Sequence, residues 1–235
     1  MTGRIHVARA IAGEHGVAVF LTMGVIVLLS ALTMSLVMAT SVDSQIAAAF
    51  RNGLEASAAA EAGAHHALVE LAAIADWSTV LDGSARSTYT DGSPAGIRRP
   101  GGVLAVDLDL VRSLADCGHR PPCSDAERDA FTRARPWGPD NPRWQLFAYG
   151  PLDLMISAAA ARSPCYLVVL VADDPGERDG NPSRDSPASE PGGEVVRVRA
   201  EAFCPAGAHR TVELMAGRSL SSGEVLRAWQ WHYDD

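Results

Sequence analysis

Between Gly16 and Val42 the chain reads GVAVFLTMGVIVLLSALTMSLVMATSV, without one Asp, Glu, Lys, Arg or His. Roughly 20 residues of helix, at ~1.5 Å each, cross the ~30 Å hydrocarbon core of a bilayer, so this run predicts one membrane-spanning helix. No comparable second run follows, and a single crossing is expected. A secretory signal would have a shorter apolar centre of about 7–15 residues before a small-residue cleavage site, for which Met38-Ala39-Thr40-Ser41 is the nearest match. The core helix of a soluble domain normally keeps a polar face, and this run has none.

The helical pattern continues past the apolar run. No proline occurs before Pro94, and from Asp43 onward Ile46, Phe50, Leu54, Ala58, Ala62, Leu68 and Leu71 recur at threes and fours. Asp43, Arg51, Glu55, Glu61 and Glu70 fall between them, which is the period of an amphipathic helix, and the segment is rich in alanine. We therefore expect one helix over residues 17–75, with 17–42 in the membrane and 43–75 amphipathic and packed on a head domain. Residues 1–16 form a short leader, and residues 76–235, about 160 in all, suffice for one head with its own core.

The leader carries Arg4 and Arg9 with one acid, Glu14, and the far flank opens on Asp43. The positive-inside rule then puts the N-terminus in the cytoplasm and the head outside, which for a bacterial inner membrane is the periplasm. A net charge of −8 argues against nucleic acid as a partner. Four cysteines beyond a membrane segment point to an oxidising compartment.

Three groups of residues carry a family resemblance. The leader ends in Glu14-His15-Gly16, the apolar run opens Val17-Ala18-Val19-Phe20-Leu21, and the helix ends in AEAGAHHALVEL. This resembles the N-terminal region of PilX-like minor pilins of type IV pili, where a glycine precedes the apolar helix and an alanine-rich "AAEAG" segment recurs near its end, here Ala59 to Gly63 with Ala67, Leu68 and Leu71. The likeness implies that a prepilin peptidase cuts after Gly16, with Gly13 a weaker candidate, and exposes Val17 as a methylatable N-terminus. Glycine suits a cleavage point because it resists continuing a helix. The alternative is that Gly13 and Gly16 fray the end of an uncleaved anchor.

Leu21 departs from the commonest pilin pattern, which has glutamate at the fifth residue after the cut. A carboxylate in lipid is costly unless paired, and leucine needs no partner. The substitution implies a place in a filament tip or initiating complex, or no assembly at all. The tip pseudopilin of type II secretion similarly lacks the acid, so that system is an alternative.

In the head, Asp76-Trp77-Ser78 begins an irregular stretch to about Gly102, read as poorly ordered surface. Leu104 to Leu110 is either a short strand or the start of a helix through Leu114. Ser124-Asp125-Ala126-Glu127 has capping-box order before a helix ending near Ala134, with Pro136 beyond it. RPWGPDNPRWQLFAYGPL, with Trp137, Trp144, Phe147 and Tyr149, reads as an irregular loop anchored by aromatics. Tyr166–Val171, Val195–Phe203, Thr211–Met215 and Val225–Trp231 form a β-meander, Trp229 and Trp231 sharing a face. The stretch VVRVRAEAFCPAGAHRTVELMAGR also resembles the closing hairpin of minor pilin heads. The fold class expected is α+β, pilin-like: one long helix on a head with an antiparallel meander.

Cys165 opens one of these strands and Cys204 closes the next, so antiparallel pairing sets them opposite each other. We expect Cys165–Cys204 and Cys117–Cys123 disulfides, among three possible connectivities. A zinc site using Cys117, His119 and Cys123 is disfavoured by its Cys-x₅-Cys spacing.

The loop from Asp173 to Glu194 holds seven acids against two arginines and reads as solvated surface. Within it Asp179, Asn181, Ser183 and Asp185 alternate, a weak calcium option lacking the usual glycine and bidentate glutamate. No other cofactor is expected.

No nucleophile elbow, phosphate loop or zinc-protease motif is present, His65 and His66 read as exposed histidines of the long helix, and His119, His209 and His232 lack neighbouring acids at ligand spacing, so no enzymatic activity is expected. The reading is a structural minor pilin of the type IV pilus. Its partners are other pilins through the N-terminal helix, the inner membrane and prepilin peptidase. The alternatives are a type II secretion pseudopilin or a membrane-anchored periplasmic binding protein that never enters a filament.

Overall fold

The computed structural model describes residues 14–100, 104–134, 143–155, 163–218 and 225–229. In chain order they form α1 (Glu14–Ala73), α2 (Ser78–Leu81), β1 (Ile97–Arg98), β2 (Val106–Asp107), α3 (Leu108–Cys117), α4 (Asp125–Ala134), β3 (Gln145–Pro151), α5 (Leu152–Met155), β4 (Tyr166–Asp173), β5 (Val195–Phe203), β6 (His209–Arg218) and β7 (Val225–Trp229). The protein is α+β, with a long apolar N-terminal helix and an antiparallel sheet. The chain divides inside α1 into two units, the first ending at Phe50 and the second beginning at Arg51. The leader residues Arg4, Arg9 and Gly13, together with Pro136, Trp137, Trp231 and His232, lie outside the described residues.

In the second unit β3 to β7 pair in sequence order, every neighbour antiparallel. One sheet face carries Leu167, Val169 and Val171 of β4, Val196, Val198 and Ala200 of β5, and Val212 and Leu214 of β6. Onto it pack Ala56, Ala60, Ala64, Ala67, Leu68 and Leu71 of α1. The other face, formed by Tyr166, Val168, Leu170 and Ala172, packs with Val106, Leu108 and Val111 from β2 and α3. β4 is thus covered on both sides, which explains its continuous apolar sequence. β5 alternates because its second face carries Arg197, Arg199 and Glu201 in place of a core.

Three expectations are corrected. Gln145–Pro151, read as part of an aromatic loop, is a strand paired with β4. Its register shifts between Leu146 and Ala148, so Leu146 and Tyr149 face one core while Phe147 and Ala148 both face the other. Such a bulge breaks the period-two pattern by which a strand is recognised. Residues 76–100 are not poorly ordered surface either. Trp77, Val80 and Leu81 are buried. Ser87 N–H donates to Phe147 O at 3.0 Å, Tyr149 N–H to Tyr89 O at 3.1 Å and Asp91 N–H to Tyr149 O at 2.9 Å, so this segment satisfies the free edge of β3. The solvated reading of the acidic loop is corrected below.

The choice at Leu104–Leu110 resolves as both elements in succession. β2 leads into α3, whose N-cap Asp107 accepts from the N–H groups of Asp109 and Leu110, each at 3.1 Å. Gly118, at φ 70°, ends it in the left-handed conformation. The capping box opens α4: Glu127 N–H donates to Ser124 Oγ at 3.2 Å, and Ser124 N–H donates to Glu127 Oε2 at 2.8 Å. α1 stops at Ala73, where Trp77 Nε1 donates to Leu71 O at 2.8 Å. The Arg218 guanidinium lies over the Trp77 ring at 4.3 Å and donates to the carbonyls of Ile74 and Ala75, so a cation meets the negative end of the helix.

Candidate functional site

α1 is the one helix among the described residues long and apolar enough to cross a bilayer. Its first unit presents its large apolar side chains outward: Phe20 is 82 % and Leu21 64 % exposed, and Val17, Val25, Leu28 and Leu36 are likewise exposed. A Cβ on Gly16 or Gly24 would meet nothing within 4 Å. All but one of the hydroxyl groups here are turned back on the helix, the exception being Ser41, whose Oγ accepts from Gln45 Nε2. Thr22 donates to Val19 O at 2.9 Å, Ser30 to Ile26 O at 2.7 Å, Ser35 to Ala31 O at 2.9 Å, Thr40 to Leu36 O at 3.0 Å and Ser44 to Thr40 O at 2.8 Å; Thr33 bonds both Leu29 O and Ser30 O. Back-bonded hydroxyls ask nothing of the surroundings, so this surface suits lipid or the apolar flank of another helix.

The four cysteines form two disulfides. Cys165 joins Cys204 with Cα atoms 4.2 Å apart, next to the Tyr166–Phe203 pair that ends the β4–β5 ladder, and Cys117 joins Cys123 with Cα atoms 6.3 Å apart. The chain-entropy account gives about 4 kcal/mol for the longer loop and about 2.4 kcal/mol for the shorter. Both thiols of the zinc option are consumed in the second bond.

The side chains of the calcium option serve as backbone acceptors. Asp179 Oδ1 accepts Asn181 N–H at 2.6 Å, Asn181 Oδ1 accepts Ser183 N–H at 3.3 Å, and Asp185 Oδ1 accepts Glu194 N–H at 2.7 Å. These acceptors shape the loop backbone. Among the described residues no group of three or more His, Cys, Asp or Glu converges as a metal-ligand set.

The acidic loop is more than solvated surface, because Asp173, Asp174 and Glu177 are buried. Burial first, and the nearby Glu177 second, push Asp173 up to about 10. Burial pushes Asp185 up to about 7, against the opposing hydrogen bond from Glu194 N–H. A run of acids reads as solvent-facing in sequence. Only its position at the end of the doubly covered β4 signals burial.

His209 does acquire an acid, across the β5–β6 ladder. Its Nε2 lies 3.0 Å from Glu201 Oε2, and its ring stacks on Phe203 at 4.5 Å. Arg199 bridges Glu201 at 2.6 Å and Glu213 at 2.8 Å, and Arg197 reaches Glu213 at 2.7 Å. Burial pushes Glu201 up, but the His209 hydrogen bond and the Arg199 charge outweigh it and hold its carboxyl below the ordinary value. Cross-strand neighbours are invisible to a search at short sequence spacing. On α1, His66 lies 3.5 Å from Glu70 and meets Tyr89 edge-on.

Comparison with family models, curated proteins and solved structures finds no match to this chain.

Proposed function

We propose that this chain is a structural minor pilin of the PilX-like kind, acting in type IV pilus assembly from a tip or initiating complex. The observation that carries the reading is the first unit of α1, whose apolar side chains are exposed and whose hydroxyls, Ser41 aside, are back-bonded. A surface of this kind is stable in a bilayer before assembly and among like helices afterwards. Leu21, exposed and uncharged, needs no amine from a neighbour, which suits a position that does not repeat along a filament. The two disulfides fit a domain exported to an oxidising compartment. In this reading the leader is cytoplasmic, the cut falls between Gly16 and Val17, and the protein carries out no catalysis. A type II secretion pseudopilin is the second reading, favoured by the same Leu21.

Intact-mass analysis of protein extracted from membranes tests it. In cells with an active prepilin peptidase, loss of residues 1–16 and a methylated Val17 are expected. An uncut N-terminus in those cells overturns the pilin reading and leaves a membrane-anchored domain.

A further inference from the structure

Asp173 ends β4 with no exposed surface, and Glu177, four residues into the β4–β5 connection, is 1 % exposed. Each has one oxygen satisfied: Asp173 Oδ1 accepts Asp174 N–H at 2.9 Å and Glu177 Oε1 accepts Ser186 N–H at 2.7 Å. The other oxygen of each, Asp173 Oδ2 and Glu177 Oε2, is buried with no donor. Glu177 N–H donates to Asp174 O at 3.1 Å, a tight turn that brings Glu177 back beside the end of β4. Two ionised carboxylates are acceptors only, so this juxtaposition is repulsive and unsatisfied. One proton resolves both defects, turning one carboxyl into a donor to the other.

The other charged groups around the pair do not supply that donor. Asp174, Asp185 and Glu194 add negative charge. Arg218 faces Asp185 but donates to the carbonyls at the end of α1, and Arg197, near Asp174, is paired with Glu213.

The loop is folded tightly over Glu177. A Cβ at Gly192, which sits at φ +87°, would lie 2.6 Å from Glu177 N, and one at Gly193 would lie 2.3 Å from Pro187 O. Glu177 therefore cannot reach water unless the loop lifts. The loop also walls a polar cleft of about 640 Å³, with Asp185 and Glu194 facing Ser78 and Arg218 across it. Ser78 Oγ holds that wall by accepting Asp185 N–H at 3.2 Å.

We propose that Asp173 retains a proton and donates it to Glu177, latching the 174–194 loop onto the end of the sheet, so that rising pH releases the loop and reshapes the cleft. The inference goes beyond the pilin reading and does not depend on it. Its direction follows from the folded state holding a proton that an exposed aspartate gives up above about pH 4. The latch is complete below that pH, weakens as pH rises, and is lost through about 10, the value of Asp173. Asp185, near 7, adds a second step in the same direction.

The test uses the full chain in detergent micelles and limited trypsin digestion at Arg178 and Arg184, both exposed in the loop. Cleavage rates between pH 6 and 9 are normalised to an unstructured arginine peptide at each pH. Loop cleavage in the parent is expected to rise by up to about tenfold per pH unit, the limit for one linked proton. Asp173→Asn replaces the protonated acid by an amide that donates without titrating. It is expected to keep the parent's slow rate at pH 6 and to reduce the rise with pH to the smaller step of Asp185, and Glu177→Gln to reduce it likewise. An infrared band of a neutral carboxyl group is expected at pH 9, above the value of Asp185, in the parent and not in Asp173→Asn. Absence of that band from the parent, or a cleavage profile that both variants share with it, overturns the proposal.

Discussion

From Gly16 to Phe50, α1 carries valine, leucine, phenylalanine and methionine side chains that stay exposed, whereas from Ala56 to Leu71 alanine is its commonest residue and its inward face is packed to near-zero exposure. One continuous helix thus reverses the usual association of large apolar residues with a core. Small residues let a helix backbone approach a sheet, and the Cβ atoms of Ala56, Ala60, Ala64 and Ala67 make that approach onto β4 and β5. Large flexible side chains gain more where they interdigitate with chains of another molecule, lipid or protein. Hydrophobicity alone ranks the first unit as the better core; side-chain size and back-bonded hydroxyls tell the two apart.

Truncating a large side chain in each half gives the widest separation. Leu71 has no exposed surface and joins the α1–sheet core, so Leu71→Ala is expected to destabilise the second unit by about 2–5 kcal/mol. Leu28 is exposed, so Leu28→Ala is expected to move the same transition by no more than about 0.5 kcal/mol. Thermal or denaturant unfolding of the full chain in micelles, followed by near-ultraviolet circular dichroism from the buried Trp77 and Trp144, measures both. Comparable losses would break the comparison, because Leu28 would then have partners within the chain.

Placing a charge in the first unit tests the complementary claim. Leu28→Arg sets a guanidinium near the middle of the apolar run and is expected to cost about 2.5–3.5 kcal/mol in membrane insertion. Alkaline extraction of membranes should move the variant from the pellet to the soluble fraction, with the unfolding transition of the second unit unchanged. Full retention in the pellet would show that the run is not held by lipid.

Much of this division was legible in the sequence, because two periods carry it. The uncharged run and the recurrences from Ile46 to Leu71 mark the helix, and the alternation from Val195 to Phe203 marks β5 as a strand with one apolar face. The Cys165 and Cys204 juxtaposition followed from reading two strands as neighbours. Features that depend on contacts distant in sequence were not legible. β3 was hidden by its bulge at Phe147, residues 87–91 by hydrogen bonding to an edge not yet recognised, and the His209–Glu201 pair by its cross-strand geometry. The burial of Asp173 and Glu177 was masked by their own charge, since acids in a Pro- and Gly-rich loop carry no sequence mark of enclosure. At the processing junction the proposed roles of Gly16 and Val17 come from the family resemblance, not from a contact.

Two of the four glycines inside α1, Gly63 and Gly24, give the smallest and most local test. Gly63 faces the sheet so closely that a Cβ would lie 3.3 Å from Leu167 Cδ1 and 3.4 Å from Val169 Cγ2, whereas a Cβ on Gly24 would meet nothing within 4 Å. Replacing a helical glycine by leucine gains most of the ~0.8–1 kcal/mol of helix propensity that separates glycine from alanine, at either position. At Gly63 the added side chain must displace Leu167 and Val169 from a filled core, at about 1–3 kcal/mol, so Gly63→Leu is expected to lower stability on balance. Gly24→Leu has nothing to displace and should leave the unfolding of the second unit unaltered. If Gly63→Leu were as stable as the parent, the helix–sheet gap would be wider than the alanine stripe implies. If Gly24→Leu disturbed assembly with other helices while leaving the monomer intact, small-residue packing at Gly24 would extend the close-approach principle to contacts between chains.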